Sequence, residues 1–327
     1  MHRFAVALST FVVLAAPGRA SADPQDPAFC RGEMRGFVER LSAWARARVP
    51  SFLIIPQNGD DLLTVDGQPD GKLDAKYLAA IDGQGHEELS WGYHADDRPT
   101  PKRVRERMAA FLDRARAAGK TVMVVDYCSG AEHVDDALER AETYGYLGFA
   151  ADHRDLDDVP AYPAKPRRSA AGDVLRLRDA RNFLYVLDLA ELGARDKALA
   201  ALRAAPNDVL VIDADHDRTP LTRDEVASLR VRPDGARRLV IAYLSIGEAE
   251  NYRSYWKASW DDARPAWLLD ENPDWPGNFR VRYWDRSWQA LIFGDDSSLL
   301  ARILDAGFDG AWLDRVDQFE SFERKDE

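Results

Sequence analysis

The hydrophobic positions of this chain follow two spacings. Apolar residues that recur every three or four positions predict amphipathic helices, and short apolar runs rich in β-branched residues predict buried strands. The segments predicted as helices are 30–48, 104–115, 134–141, 194–204, a segment that begins at the capping pair Thr222 and Glu225, and 298–305. The segments predicted as strands are 52–55, 77–81, 121–125, 146–150, 183–187, 209–212, 239–244, 280–283 and 311–313.

This alternation of strands and helices predicts the fold class. Strands separated by helical segments favour a parallel sheet, and about eight such units in a chain of this length favour a closed (β/α)8 TIM barrel. Residues 160–181 are rich in proline, arginine, alanine and glycine without periodicity, so they are predicted to be a surface connector. Residues 23–327 are predicted to form one domain.

A carboxylate or an amide follows many of the predicted strands. These residues are Asn58, Glu87, Asp126, Asp213, Glu248 and Asp314. In a closed barrel of parallel strands the carboxyl ends meet at one mouth, so residues far apart in sequence face one another. Two carboxylates across a cleft are what glycoside hydrolysis needs, because one protonates the leaving oxygen and the other acts as nucleophile or activates water.

Asp314 ends the apolar run 311–313, close to the carboxyl terminus. A barrel strand is normally followed by a helix that covers it, and the sequence after residue 319 is too short to supply one. The covering helix of this strand is therefore expected to come from elsewhere in the chain.

Charge and aromatic content narrow the ligand class. The formal net charge is -12, which argues against nucleic acid as a partner and favours a cationic ligand such as a polymer with free amines. Nine tryptophans and 11 tyrosines are present, and several, including Trp284, crowd residues 256–284. Flat rings suit the apolar faces of sugars, so Trp284 is a candidate for substrate binding, although aromatic residues are also common in ordinary cores.

Metal and nucleophile motifs are weak in this sequence. The histidines form neither HxH nor HExxH spacing, and the best metal-ligand candidate is DADHD at 213–217. No GxSxG motif is present. Neither a metal nor another cofactor is predicted, and a metal-dependent hydrolase remains only as an alternative.

The amino-terminal segment has the pattern of a signal peptide. Arg3 precedes an apolar run at 4–16, and small residues at 20–22 suit cleavage after Ala22. Residues 1–22 are therefore predicted to direct export to the periplasm or the medium, and no later stretch is long enough to span a membrane. In an oxidising compartment Cys30 and Cys128 are expected either to form a disulfide or to be two buried thiols.

Three long segments carry a family resemblance. The segments YLSIGEAENYRSYW (243–256), ENPDWPGNFRVRYWD (271–285) and GFDGAWLDRVDQF (307–319) resemble the endo-α-1,4-polygalactosaminidase-like glycoside hydrolases of family 114 and their bacterial and archaeal relatives. FLIIPQNGDDLL, GHEELSWGY and VMVVDYCSG resemble further segments of that family. The order differs, because the family places the segment like 307–319 before the segment like 52–63. The resemblance therefore implies a circular permutation, with 30–48 as the displaced covering helix and 160–181 joining the exchanged halves.

The resemblance also assigns roles to residues. It implies that Asp314 and Glu87 are the catalytic pair, with Glu88 as a rival for the proton donor because the register is uncertain by one residue. It implies sugar-binding or supporting roles for Asn58, Asp126, Tyr127, Asp213, Glu248 and, at the rival position, Glu88. The implied function is an exported glycosidase that cuts an amino-sugar-containing polysaccharide without a metal. The alternative class is a carbohydrate-binding barrel without catalysis, and the oligomeric state is not indicated.

Overall fold

The computed structural model describes residues 25–323. In this part of the chain the α-helices are Pro27–Arg48 (α1), Ala75–Ala80 (α2), Lys102–Ala117 (α3), Ala131–Tyr144 (α4), Arg195–Ala204 (α5), Arg223–Leu229 (α6), Arg286–Ile292 (α7) and Leu299–Ala306 (α8). The β-strands are Leu53–Pro56 (β1), Gly83–Glu87 (β2), Thr121–Tyr127 (β3), Leu147–Ala151 (β4), Leu184–Val186 (β5), Val209–Ile212 (β6), Asp215–His216 (β7), Thr219–Pro220 (β8), Leu239–Ser245 (β9), Glu248–Glu250 (β10), Leu268–Glu271 (β11), Asn278–Val281 (β12) and Gly310–Asp314 (β13).

Two parallel sheets form the centre of the molecule. One has the strand order β1-β13-β9-β6-β5, and the other has the order β2-β3-β4. The sheets adjoin where Gln57, after β1, forms a parallel bridge with Gly85 of β2. At the other side, Phe149 of β4 and Phe183 beside β5 pack with ring centroids 5.6 Å apart. The predicted α/β fold with a mainly parallel central sheet is confirmed.

Helix α1 lies beside the segment that follows the last strand. It packs against α2, α8 and the 3-10 turn Val316–Ser321 that follows β13. Arg31 of α1 forms an ion pair with Glu323 at 2.8 Å, and the backbone carbonyl of Cys30 accepts a hydrogen bond from Tyr283. A helix from the amino-terminal part of the chain therefore packs against the turn that follows the carboxyl-terminal strand.

The strand predicted at 77–81 is wrong. These residues belong mostly to α2, whose first turn is capped by the Asp74 carboxylate, which accepts from the backbone N–H groups of Lys76 and Tyr77. The strand is β2, a few residues later, with the sequence GQGHE. Its glycines and polar residues are typical of a loop, which is why the pattern pointed to the neighbouring apolar residues instead.

The strand predicted at 280–283 exists two residues earlier, but it is not part of the parallel sheets. It is β12, which pairs antiparallel with β10 and β11 in a separate three-stranded sheet. The predicted start of α6 is confirmed, because Thr222 and Glu225 form a reciprocal capping box.

The two cysteines are buried and no disulfide joins them. Cys30 belongs to the main hydrophobic core, and Cys128 packs in a separate small cluster with Val134, Ala137 and Ala150. Of the two expectations for this pair, the structure shows buried thiols. The predicted signal peptide lies outside the described residues, and no helix in residues 25–323 is long and apolar enough to cross a bilayer.

Gly85 allows β2 to pack closely on β13. A Cβ atom at this position would lie 2.5 Å from the ring of Trp312, which is fully buried. We expect Gly85→Ala to lower the free energy of unfolding by about 1–3 kcal/mol, because this overpacking has no room to relax. Urea denaturation would measure the loss. Gly172→Ala is the matched control, since no atom lies within 4 Å of its added Cβ, and equal stability of the two variants would contradict this packing.

Candidate active site

Three adjacent strands end at the same group of polar side chains. Asp314 is the last residue of β13, Gln57 and Asn58 follow β1, and Glu87 is the last residue of β2. Because β1 lies between β13 and β2, the backbones of the two acids are two strand spacings apart, which is about 10 Å. The side chains that follow β1 contact both acids.

The Asp314 carboxylate accepts three hydrogen bonds. Oδ1 accepts from the Gln57 amide at 3.1 Å and from the Arg315 backbone N–H at 2.7 Å, and Oδ2 accepts from the Tyr243 hydroxyl at 2.7 Å. Desolvation raises the pKa of Asp314, while the charge of Arg315 and the Tyr243 hydrogen bond oppose that rise. These donors favour the ionised form of Asp314.

Glu87 is held from the other side of β1. Its Oε2 accepts from Asn58 Nδ2 at 2.8 Å, its Oε1 accepts from the Tyr127 hydroxyl, and its backbone N–H donates to Asn58 Oδ1 at 3.1 Å. Desolvation and then the negative charge of Asp314 raise the pKa of Glu87 to about 7, against the two hydrogen bonds to its carboxylate. Glu87 can therefore hold a proton near neutral pH, while the donors around Asp314 favour its ionised form, and acid catalysis requires such a difference between two carboxyl groups.

Gln57 is oriented by the core beneath it. Its Oε1 accepts from the Tyr185 hydroxyl at 3.3 Å and from the Trp312 indole N–H, which turns its amide NH2 group towards Asp314. Gln57, Tyr185 and Tyr243 were not among the candidate residues predicted from the sequence. Gln57 follows an apolar run as the other candidates do, so its position was a usable signal, whereas both tyrosines are hidden inside strand runs.

Glu248 supports the loop after Asp314. Its buried carboxylate lies 2.9 Å from the Arg315 guanidinium and accepts from Asn272 Nδ2 at 3.0 Å. Desolvation raises the pKa of Glu248, and the Arg315 charge opposes the rise. Arg315 has a left-handed backbone, with φ 58°, that directs its N–H to Asp314. The ion pair with Glu248 therefore fixes a residue that contacts the candidate catalytic acid.

Asp126 and Glu88 belong to the surroundings of Glu87. Asp126 accepts from the backbone N–H groups of Ser90 at 2.6 Å and Trp91 at 3.0 Å, and desolvation raises its pKa to about 7. Glu88 forms an ion pair with Arg154 at 2.9 Å. The structure therefore joins Glu87, and not its rival Glu88, to Asn58 and Tyr127.

The remaining predicted site residues lie further from the pair. Asp213 follows β6 and forms an ion pair with Arg253 at 2.7 Å, and the Arg253 guanidinium lies 5.8 Å from the centre of the Tyr243 ring. Trp284 packs instead in an aromatic cluster, with ring centroids 5.6 Å from Phe29 and 4.8 Å from Phe322. Arg253 therefore links Asp213 to Tyr243, which in turn donates to Asp314. No described contact joins Trp284 to either acid.

Possible metal ligands occur in the loop that follows β4. Among residues 25–323, candidate ligand atoms within 4.8 Å of one another come from Asp152, His153 and Asp158, and from His153, Asp155 and Asp157, in the loop after β4. The segment 213–217 is not among these groups, and the ring of His216 lies 2.9 Å from the Gly193 carbonyl oxygen instead.

Comparison with known proteins identifies the family. The model of glycoside-hydrolase family GH114 matches residues 164–327, which is half of the chain. The chain belongs to glycoside-hydrolase family GH114. The matched half holds Asp314, Glu248 and Asp213, whereas Glu87 lies outside it. The family predicted from sequence resemblance is confirmed.

Related proteins of other organisms are similar to part of this GH114 chain. An uncharacterized protein of Deinococcus radiodurans is 43% identical over 128 residues, which is 39% of each chain. Uncharacterized proteins of Thermotoga maritima and Methanocaldococcus jannaschii are 41% and 43% identical over 113 and 115 residues, 35% and 34% of this chain. The matches span 31–39% of the length of these relatives.

Proposed function

We propose that this GH114 protein is an exported glycoside hydrolase that cuts an amino-sugar-containing polysaccharide with Asp314 and Glu87. The observation that carries the proposal is the arrangement of two carboxylates on either side of β1, where desolvation and then the charge of Asp314 raise the pKa of Glu87. Such a pair suits hydrolysis of a glycosidic bond between them.

The two acids take different roles in this mechanism. Glu87 donates its proton to the glycosidic oxygen of the leaving sugar, and its pKa of about 7 leaves much of it protonated at neutral pH and most of it protonated in mildly acidic medium. Asp314, ionised and fixed by Gln57, Tyr243 and the Arg315 backbone, acts at the anomeric carbon, either directly as nucleophile or by activating water. The anomer released first, observed by proton NMR, distinguishes these two courses.

The substrate class rests on charge. The chain has a net charge of -12, and the two candidate acids Asp314 and Glu87 end neighbouring strands, which favours a sugar carrying free amines. The test is incubation with deacetylated and with acetylated galactosamine polymers, followed by mass analysis of the fragments. Cleavage of the deacetylated polymer supports the proposal, and binding without new reducing ends would support a non-catalytic carbohydrate-binding protein instead. Loss of cleavage on addition of a chelator would favour a metal-dependent hydrolase.

We further propose a closed barrel that is circularly permuted. The strand order β5-β6-β9-β13-β1-β2-β3-β4 supports closure between β4 and β5, and the family match, which begins within residues 160–181, supports the exchange of halves. Cutting an engineered protease site within 160–181 should leave the two pieces associated and folded. Separation of the pieces on gel filtration would contradict the permutation.

Export by residues 1–22 is tested by amino-terminal sequencing of the secreted protein, which should begin at Asp23.

The hydroxyl of Tyr127 lowers the pKa of Glu87, the proposed proton donor. Its hydrogen bond favours ionised Glu87 and so lowers the pKa of Glu87, which means that removing the hydroxyl should raise it. Cleavage by the native enzyme should fall as pH rises through about 7, because Glu87 loses its proton. We expect Tyr127→Phe to move this alkaline limb of kcat/KM to higher pH. Tyr144→Phe, which removes a hydroxyl from a tyrosine stacked on Tyr146, is the control, and a limb that stays in place in Tyr127→Phe would contradict the coupling.

A further inference from the structure

A cavity of about 300 Å³ lies where the helical layer is interrupted. Between β4 and β5 the described chain has no α-helix, and a single 3-10 turn, Leu177–Asp179, is the only helical segment there. The cavity is lined by Phe149 of β4, Phe183 beside β5, Leu138 of α4 and the segment 159–168. It is therefore enclosed by the predicted connector on one side and by the sheet and α4 on the other.

Hydrogen bonds anchor the segment 159–168 over the cavity. The Tyr162 hydroxyl donates to the Asp135 carboxylate of α4 at 2.9 Å, and Arg167 donates to the Asp135 carbonyl at 3.1 Å. On the opposite side, buried Asn182 donates to the Arg168 carbonyl at 2.7 Å. Hydrogen bonds on both sides hold the connector at a fixed height above the sheet, so the cavity has defined walls.

The charge of this cavity is opposite to that of the chain. Four of the residues that line it are cationic and one is anionic, namely Lys165, Arg167, Arg168 and Arg181 against Glu142. The whole chain has 56 acidic and 44 basic residues. In residues 25–323, Arg167 has ion pairs with Glu142 and Asp135, whereas Lys165 and Arg168 have none. Two cations without an anionic partner thus stand at the edge of a space of ligand size.

The lining also offers flat apolar surfaces. Pro160, Pro163, Pro166 and Pro206 contribute pyrrolidine rings, and Tyr162 and Phe149 contribute aromatic rings. Cationic side chains beside such rings suit a molecule that has a ring with an apolar face and a carboxylate. The cavity lies near the amino ends of β4 and β5, since its lining includes 145–147 and 181–184, whereas Asp314 and Glu87 lie at carboxyl ends.

We propose that this cavity is a second carbohydrate site, separate from the hydrolytic pair, that binds a carboxylate-bearing sugar of the uronic acid class. Lys165 and Arg168 bind the carboxylate, and the proline and tyrosine rings contact the sugar ring. This second site binds an anionic sugar, whereas the proposed hydrolytic site around Asp314 and Glu87 binds a cationic one. The protein would therefore bind two sugars of opposite charge at opposite edges of its sheet.

The experiment is calorimetric titration of the full chain with a galacturonate dimer at low salt. We expect saturable binding, no binding of the methyl-esterified dimer, which keeps the rings and lacks the charges, and no displacement by an equal concentration of inorganic phosphate. The double variant Lys165→Glu/Arg168→Glu should bind the dimer about tenfold more weakly or worse, because two attractions become repulsions. The control Arg103→Glu/Lys197→Glu reverses two exposed cations that have no ion pair within residues 25–323 and do not line the cavity.

Each outcome bears on the second site alone. Cleavage of the amino-sugar polymer should be the same in both double variants, so failure of the hydrolase proposal leaves this test intact. The proposal is overturned if the native chain does not bind the galacturonate dimer, if the ester binds equally well, if phosphate displaces the dimer, or if the cavity variant binds as the control variant does.

Discussion

An Asp314→Asn variant is expected to lose hydrolysis of the polymer by a factor on the order of 10⁴ or more while it remains folded. The amide keeps the size of the carboxylate but removes the charge that acts at the anomeric carbon. Because Asp314 is desolvated, losing its charge should not lower the free energy of unfolding by more than about 1 kcal/mol. Initial rates of reducing-end release, with thermal unfolding measured in parallel, check both parts of this prediction.

The same variant has an electrostatic consequence. The charge of Asp314 raises the pKa of Glu87, so its removal should lower that pKa, which carbon-13 NMR of the labelled Glu87 carboxyl can follow. Asp305→Asn is the matched control, since Asp305 is exposed on α8 and should leave both the rate and the pKa unchanged. An Asp314→Asn enzyme with native activity would refute the assignment of Asp314.

The position of Asp314 was predictable because its strand has a strong local signature. An apolar run, 311–313, leads directly into a charged residue, and Gly307 ends the helix before it with a left-handed backbone. Similar runs located β3, β6 and β9 to within two residues. Where a strand is buried on both faces by apolar side chains, the sequence alone is enough to locate the acid that follows it.

The strand that positions Glu87 could not be located in this way. Only glycine fits at Gly85 against Trp312, and Gln84 is buried because its amide donates to the carbonyls of Asn58 and Gly85. These residues are set by tertiary contacts with β1 and β13, which no local pattern records. The family resemblance, and not periodicity, carried the prediction of Glu87.

Aromatic content by itself does not separate site residues from packing residues. Tryptophans crowd the part of the sequence around Trp284, which makes this residue a candidate, and its ring packs against Phe29 and Phe322. In contrast, the Tyr243 hydroxyl donates to Asp314, and the Tyr185 hydroxyl donates to Gln57, which contacts Asp314. A count of aromatic residues does not tell whether a ring lies inside a strand or in a loop, and only the fold shows this. The sugar-binding role of Trp284 stays a prediction.

Glu87→Gln is expected to reduce cleavage of the polymer by about 10²–10⁴-fold, because the amide cannot donate a proton to the leaving oxygen. The loss should be much smaller with an aryl glycoside whose nitrophenolate leaves without protonation. This dependence on the leaving group separates the role of Glu87 from that of Asp314, whose variant should fail with both substrates. The alkaline limb near pH 7 should also disappear from the residual rate, since the titrating group is gone.

Glu88→Gln decides between the adjacent glutamates. Glu88 forms an ion pair with Arg154, which also donates to Asp96 at 2.9 Å, so we expect this change to cost less than about tenfold in rate and to keep the alkaline limb. Glu139→Gln, on the exposed face of α4, should match the native enzyme. If Glu88→Gln lost the polymer rate and kept the aryl glycoside rate, while Glu87→Gln kept both rates, Glu88 would be the proton donor. Asn58 and Tyr127 would then hold a carboxylate that does not take part in catalysis.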